Sequence, residues 1–311
     1  MERLAIAGAG LMGHTIALSA AWAGFETKVW GVGEDDVRKA EAGVAEKLER
    51  LARHGVLTAE EAEEARRRVR FTTELEEAVG GATFVIEAVP ERLDLKQSFY
   101  RRLERICEPT TVLASNTSGL LPTAIAAEME RPERMIVVHF WNPAHLIPLV
   151  EVCKGERTSQ QTADRAMRLL TDMKKKPIEM RKEVLGFIGN RLQYALFREA
   201  QYMLEEGVAS AEDIDAAVVY SLGRRLPATG PFMTADLGGL DVFHSISEYL
   251  FQDLSKADGS LSRMRSLYEN GDYGTKTGKG FYEWDEEKAR EVGERRESLL
   301  IRFLAEDLGK A

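Results

Sequence analysis

Residues 3–15 read RLAIAGAGLMGHT: an apolar, strand-like run passes at once into glycines at 8, 10 and 13 and then into a helix-forming stretch, HTIALSAAWAG. A G-x-G-x-x-G turn between a strand and a helix limits the fold severely, because each glycine answers a different steric demand. Gly8 permits the tight turn, Gly10 lets the backbone approach a pyrophosphate, and Gly13 lets the helix pack on the strand. Leu11 and Met12 complete the turn, and free N–H groups at the start of the helix attract phosphates. A second strand, ETKVWGV, follows, so the start of the chain reads as a parallel βαβ unit that binds a dinucleotide rather than as an incidental glycine-rich turn.

With 311 residues the chain is long enough for two domains, since single cores stop growing at about 250–300 residues. Residues 35–70 are charged and helix-friendly, with a break at Gly55 and Thr58 placed as an N-cap ahead of Glu61, which predicts a helical hairpin. Strands recur at ATFVIEAV, TVLASN, MIVVHF and IPLVEV, so α/β alternation continues to about residue 180. Beyond VLGFIGNR only helical spacing remains. The expectation is an α/β Rossmann-like domain with a helical hairpin over 1–185 and an all-α domain over 186–311, joined at GFIGN. A last helix, KAREVGERRESLLIRFLAEDLG, carries an apolar stripe that could cover the body or a partner.

Composition excludes several classes. No apolar run approaches the roughly 20 residues that span a bilayer, and the N-terminus resembles neither a signal peptide nor an Arg-rich presequence, so a cytoplasmic location is expected. A net charge of -9 disfavours a nucleic-acid surface. Cys107 and Cys153 form neither a disulfide framework nor a metal spacing, and no metal site is expected.

The second half of the dinucleotide fingerprint is altered. An acid that binds the adenosine ribose should end the second strand, and Gly31 stands there. Either Glu34, Asp35 or Asp36 reaches the ribose from the loop, or the gap admits the 2'-phosphate of NADP beside Arg38 or Lys39. The three carboxylates would repel an added phosphate, which favours NAD. Farther on, HFWNPAHLIPLVEV places His139 twelve residues before Glu151. On spacing alone, a structural histidine at a strand end and a working acid/base pair both fit. His54, His145 and His244 have no such partner and read as structural or surface residues.

The segments GAGLMG, FVIEAVPERLDLKQ, ASNTSGL, VVHFWNPAHLIPLVEV, GFIGNRL, TGPFMTADLGGLDV and YGTKTGKGFY together resemble the 3-hydroxyacyl-CoA dehydrogenase family, in order along nearly the whole chain. The resemblance implies an NAD-dependent enzyme of fatty acid metabolism that dimerises through its C-terminal domain, with an active site between its domains. It implies that His139 is the general acid/base and Glu151 orients it, while Ser118 and Asn190 hold the substrate oxygen. By the same resemblance Glu91 and Lys96 belong to a cofactor loop, and Asn116 to the nicotinamide side. Asn142 and Pro143 shape a turn, and Phe140 and Trp141 wall the pocket or pack the core.

The family likeness makes a 3-hydroxyacyl-CoA thioester the first reading of the substrate, with a CoA-free small hydroxy acid or alcohol close behind. Arg66, Arg67, Arg68 and Arg70 of the hairpin could hold CoA phosphates, or could simply be a solvated helical face. SNTSGLLPT and HFWNPAHLIPLVEV look closer to the CoA-free relatives, of carnitine, gulonate and pyridine-alcohol type, than to the fatty-acid enzymes. A non-catalytic protein like the lens crystallins of this fold is the alternative of another class.

Overall fold

The computed structural model describes residues 2–310. Contacts divide the chain into two compact units, Met1–Asn190 with Arg295–Ala311, and Arg191–Glu294. The first is built on an eight-stranded sheet in the order β3-β2-β1-β4-β5-β6-β7-β8. Its strands are β1 (Leu4–Ala7), β2 (Thr27–Trp30), β3 (Val69–Thr72), β4 (Phe84–Glu87), β5 (Val112–Ser115), β6 (Met135–Phe140), β7 (Leu149–Cys153) and β8 (Lys176–Met180). Strands β1 to β6 are parallel neighbours, while β7 runs antiparallel to β6 and β8 lies parallel to β7. The first six strands thus have the order 3-2-1-4-5-6 expected of a doubly wound dinucleotide fold.

Side chains along each strand alternate between two cores. Leu4, Ile6, Phe84, Ile86, Ile136 and Val138 pack on one face with α1 (Leu11–Trp22) and α7 (Gln160–Asp172). Ala5, Ala7, Val85, Leu113 and Val137 pack on the other with α4 (Leu75–Val79) and α5 (Leu93–Ile106). Burial on both faces explains why these strands read as continuous apolar runs. A short helix, α6 (Pro122–Ile125), follows β5.

The predicted hairpin is α2 (Glu34–Arg53) and α3 (Ala59–Arg67). Gly55 sits in the turn with φ 72°, and Thr58 with Glu61 forms a reciprocal capping box. The edge strands β3 and β8 escape sequence reading, because VRFT and KPIEM are short, partly open to solvent and offer only two apolar alternating positions each.

The second unit is helical, and α8 (Gly189–Glu205) leads into it. It continues with α9 (Ala211–Ala217), α10 (Gly223–Arg225), α11 (Pro231–Gly238), α12 (Leu240–Asp253) and α13 (Ser262–Glu269). The final helix, α14 (Glu286–Asp307), corrects the boundary expected at 186–311: its later half belongs to the first unit. Ile301 and Leu304 complete a core with Leu18, Val44, Leu48 and Leu51, Arg50 pairs with Glu297 at 2.8 Å, and Lys310 Nζ donates to the Val56 carbonyl. The apolar stripe of this helix therefore covers the hairpin. Among the described residues no helix is long and apolar enough to cross a membrane.

Candidate active site

The glycine-rich turn has the shape a dinucleotide requires. Gly8 has φ 129°, and a Cβ there would lie 2.5 Å from the Ala88 carbonyl oxygen. A Cβ on Gly13 would lie 1.7 Å from the Gly8 carbonyl oxygen, so α1 can seat on the turn only without one. Gly10 caps α1 with open space around its Cα, and Leu11 and Met12 form the exposed and half-exposed start of that helix. This cradle fits the pyrophosphate of NAD. At the end of β2, a Cβ on Gly31 would meet Val37 Cγ2 at 2.9 Å and Ala9 Cβ at 3.2 Å, so a side chain is crowded out there. Arg38, one cation that could have served a 2'-phosphate, is paired with Asp35.

His139 and Glu151 are partners across the antiparallel β6–β7 pair. Antiparallel partners share a face, so both project toward the side that also buries Phe187. His139 Nδ1 lies 2.8 Å from Glu151 Oε2. Glu151 is fully buried, yet its two oxygens meet four donors. Oε2 accepts from His139 and from Trp141 Nε1 at 3.2 Å, while Oε1 accepts from the backbone N–H groups of Ile188 and Gly189 at 2.8 and 2.9 Å. Burial pushes the carboxyl up, but the bonds from His139 and from the Gly189 and Ile188 amides outweigh it and hold the group below the usual carboxylate range. An ionised carboxylate can only accept. Nδ1 therefore carries its proton, and Nε2 of a neutral His139 is left as an acceptor.

The two amides are aimed by an unusual backbone. Gly186 has φ 74° and Phe187 φ 53°, the latter rare for a bulky side chain, and the next two N–H groups point at Glu151. Phe187 is buried with its ring 5.4 Å from the imidazole.

Asn190, next in sequence, donates from Nδ2 to the Ser118 carbonyl at 2.9 Å. The Ser118 N–H donates to Glu91 Oε1 at 2.8 Å, and Thr117 Oγ1 donates to the same oxygen. Hydrogen bonds thus link Glu91 and Ser118 to Asn190, and Asn190 follows directly on the amides that hold Glu151. Asn116 Oδ1 accepts from the Phe140 N–H at 2.8 Å and ties the end of β5 to the end of β6. The Asn142–Pro143 peptide, in the turn after β6, is cis.

Lys96 is neither solvated nor free. At 1% exposure its Nζ reaches Glu87 Oε1 at 2.6 Å, the Val89 carbonyl at 3.3 Å and Glu91 at 3.4 Å. It braces the loop that carries Glu91. Sequence reading missed Glu87, which also accepts from Ser115 Oγ; the available signal was one acid inside the apolar strand FVIE. The amides of Ile188 and Gly189 had no signal, because side chains do not report where a backbone N–H points.

His145 is buried and pushed down to about 3 by burial, first of all, and by nearby cations, so it is a neutral structural histidine. His54 ends α2, and His244 lies exposed 3.9 Å from Glu248. Burial pushes the thiols of Cys107 and Cys153 up to about 11 and about 12, so neither is activated. Among the described residues no cluster of ligands could hold a metal.

The sequence model described as "3-hydroxyacyl-CoA dehydrogenase, NAD binding domain" matches residues 3–184, and that described as "3-hydroxyacyl-CoA dehydrogenase, C-terminal domain" matches residues 186–284. A probable 3-hydroxybutyryl-CoA dehydrogenase of Bacillus subtilis is 39% identical over 290 residues, 92% of this chain and 98% of the relative. An L-carnitine dehydrogenase of Burkholderia mallei is 40% identical over 239 residues, 77% of this chain and 73% of the relative. A solved structure of 5-formyl-3-hydroxy-2-methylpyridine 4-carboxylic acid 5-dehydrogenase, an NAD+ dependent dismutase, superposes with a TM-score of 0.91 at 32% identity and covers 100% of both chains.

Proposed function

Since the chain belongs to the 3-hydroxyacyl-CoA dehydrogenase family and is an NAD-dependent dehydrogenase acting on a CH–OH group, we propose that it interconverts a 3-hydroxyacyl-CoA with its 3-keto form, using His139 as acid/base. The observation that carries this reading is the bond between His139 Nδ1 and a buried, ionised Glu151, which leaves Nε2 free to accept a proton. When bound, the nicotinamide supplies the hydride acceptor for oxidation and the donor for reduction. In oxidation His139 Nε2 takes the hydroxyl proton as the carbinol C–H bond breaks, and Glu151 stabilises the imidazolium that forms. In reduction the same proton returns to the oxygen. Ser118 and Asn190 hold the substrate oxygen beside His139, and their mutual hydrogen bond supports a shared task. A CoA thioester would place the enzyme in fatty acid metabolism.

A CoA-free small hydroxy acid or alcohol is the second reading. It is favoured by the hairpin arginines: Arg67 and Arg68 pair with Glu63 and Glu64, and Arg68 also donates to the Ala21 carbonyl, so part of the hairpin's cationic charge is already offset by its own carboxylates. The full-length likeness to the pyridine-carboxylic acid dehydrogenase supports the same reading. A turnover screen of acetoacetyl-CoA beside free 3-hydroxy acids, with NAD(H) and NADP(H), tests both. Reduction of acetoacetyl-CoA with NADH is expected, and turnover of free acids alone would transfer the assignment to the second reading.

The assembly we propose is a cytoplasmic homodimer formed through the helical unit. Phe232 is 87% exposed and Leu237 80%, with Tyr220, Tyr249 and Phe251 also open, an apolar extent that supports a partner surface. Two free, unactivated cysteines accord with a reducing compartment. Light scattering tests the dimer, and a mass near the 34.7 kDa of one chain would sink it.

A further inference from the structure

We infer that Trp141 is a positioning residue for the acid/base pair: its indole N–H holds the same Glu151 oxygen that receives His139, and so sets how strongly that carboxylate pulls on the imidazole. This rests on the role proposed for His139. A carboxylate oxygen offers two lone-pair directions, and Glu151 is used to that limit, with two donors on Oε1 and two on Oε2. Glu151 is 0% exposed, so no solvent takes the place of a lost donor cheaply, and each bond counts for more than it would in water.

The indole is held firmly. Its six-membered ring fills the place of a side chain at residue 189, where a Cβ would lie 2.2 Å from Trp141 Cζ2. Its ring centroid stands 5.6 Å from that of the imidazole at a tilt of 52°. Gly189 thus serves twice, giving the indole its space and giving Oε1 a backbone N–H.

Two donors on one oxygen share its electron density. With Trp141 bonded, Oε2 is a weaker acceptor for the imidazole, so a neutral His139 is more readily available to take a proton. A phenylalanine would fill nearly the same space and lack the N–H, which separates this role from that of a pocket wall.

Trp141→Phe in the full chain is the test. By 1H NMR the hydrogen-bonded imidazole proton of His139, assigned by its loss in His139→Gln, is expected to move downfield when Oε2 has no second donor. The acid limb of the pH–rate profile for oxidation, followed with 3-hydroxybutyryl-CoA and NAD, is expected to move to higher pH by about half to one unit, with KM little changed. An unmoved imidazole proton, or a change in KM alone, overturns the inference. If no substrate turns over, the proposed function fails while the NMR shift still decides this point. Should Trp141→Phe not fold, hydrogen exchange of the Trp141 indole N–H in the native protein replaces it: slow exchange is expected, and exchange as fast as an exposed indole overturns the inference.

Discussion

His139 and Glu151 lie directly opposite each other on β6 and β7, and the eleven residues between them include the turn that lets one strand run back along the other. Nearly the whole candidate site depends on that register. A slip of one residue would send one of the two side chains to the opposite face of the sheet and end the contact.

Replacing the imidazole removes the proposed acid/base group and little else. His139→Gln is expected to lower turnover by about two to four powers of ten, while fold and NADH binding persist. Steady-state kinetics beside a fluorescence titration of NADH check this, and near-native turnover would exclude His139 from the mechanism.

Glu151 also links stability to pH. Its folded-state carboxyl lies below its ordinary value of 4.5. Its contribution is therefore fully present above that value and is lost as pH falls through the folded one. Glu151→Gln is expected to flatten the acid side of a plot of unfolding free energy against pH, as measured by urea denaturation between pH 7 and pH 3. Parallel curves for the variant and the native protein would refute the assignment.

Lys96 and Glu87 form an ion pair with exposures of 1% and 0%. Lys96→Met would strand the carboxylate in the interior, and a loss of about 3–5 kcal/mol is expected. Chemical denaturation gives the number. A change under 1 kcal/mol, on the order of an exposed pair, would mean that water reaches Glu87.

Cofactor choice follows from the acidic stretch after β2, where Glu34, Asp35 and Asp36 stand. NADH should bind more tightly than NADPH, and because Arg38 is held by Asp35, Asp35→Asn should release it and narrow the ratio of dissociation constants. Gly31→Asp is a poor way to widen that ratio, since its Cβ would press on Val37 and Ala9. Paired titrations decide it, and an unchanged ratio in Asp35→Asn would remove Arg38 from phosphate selection.

The final helix is expected to stabilise the hairpin. Deleting residues 295–311 uncovers Leu18, Leu48 and Leu51, and losing the burial of Ile301 and Leu304 alone should cost roughly 3–5 kcal/mol. Calorimetry should show a lower melting temperature. An unchanged one would mean that the hairpin core is complete without the helix.

The local periods of the sequence determined the βαβ opening, the hairpin with its break at Gly55 and cap at Thr58, and the change to helices after GFIGN, since turn chemistry and the alternation of apolar residues are properties of neighbouring residues. The sequence also singled out His139, Glu151, Ser118 and Asn190, through a family likeness and not through their spacing. Only the tertiary structure decided that Lys96 turns inward to Glu87, that Trp141 and two backbone amides saturate Glu151, and that the last helix returns to the hairpin. The reason is physical. Each of these depends on which way packing turns a side chain or a backbone N–H, and a chain's local pattern encodes neither the partner across a sheet nor the path of a left-handed Phe187.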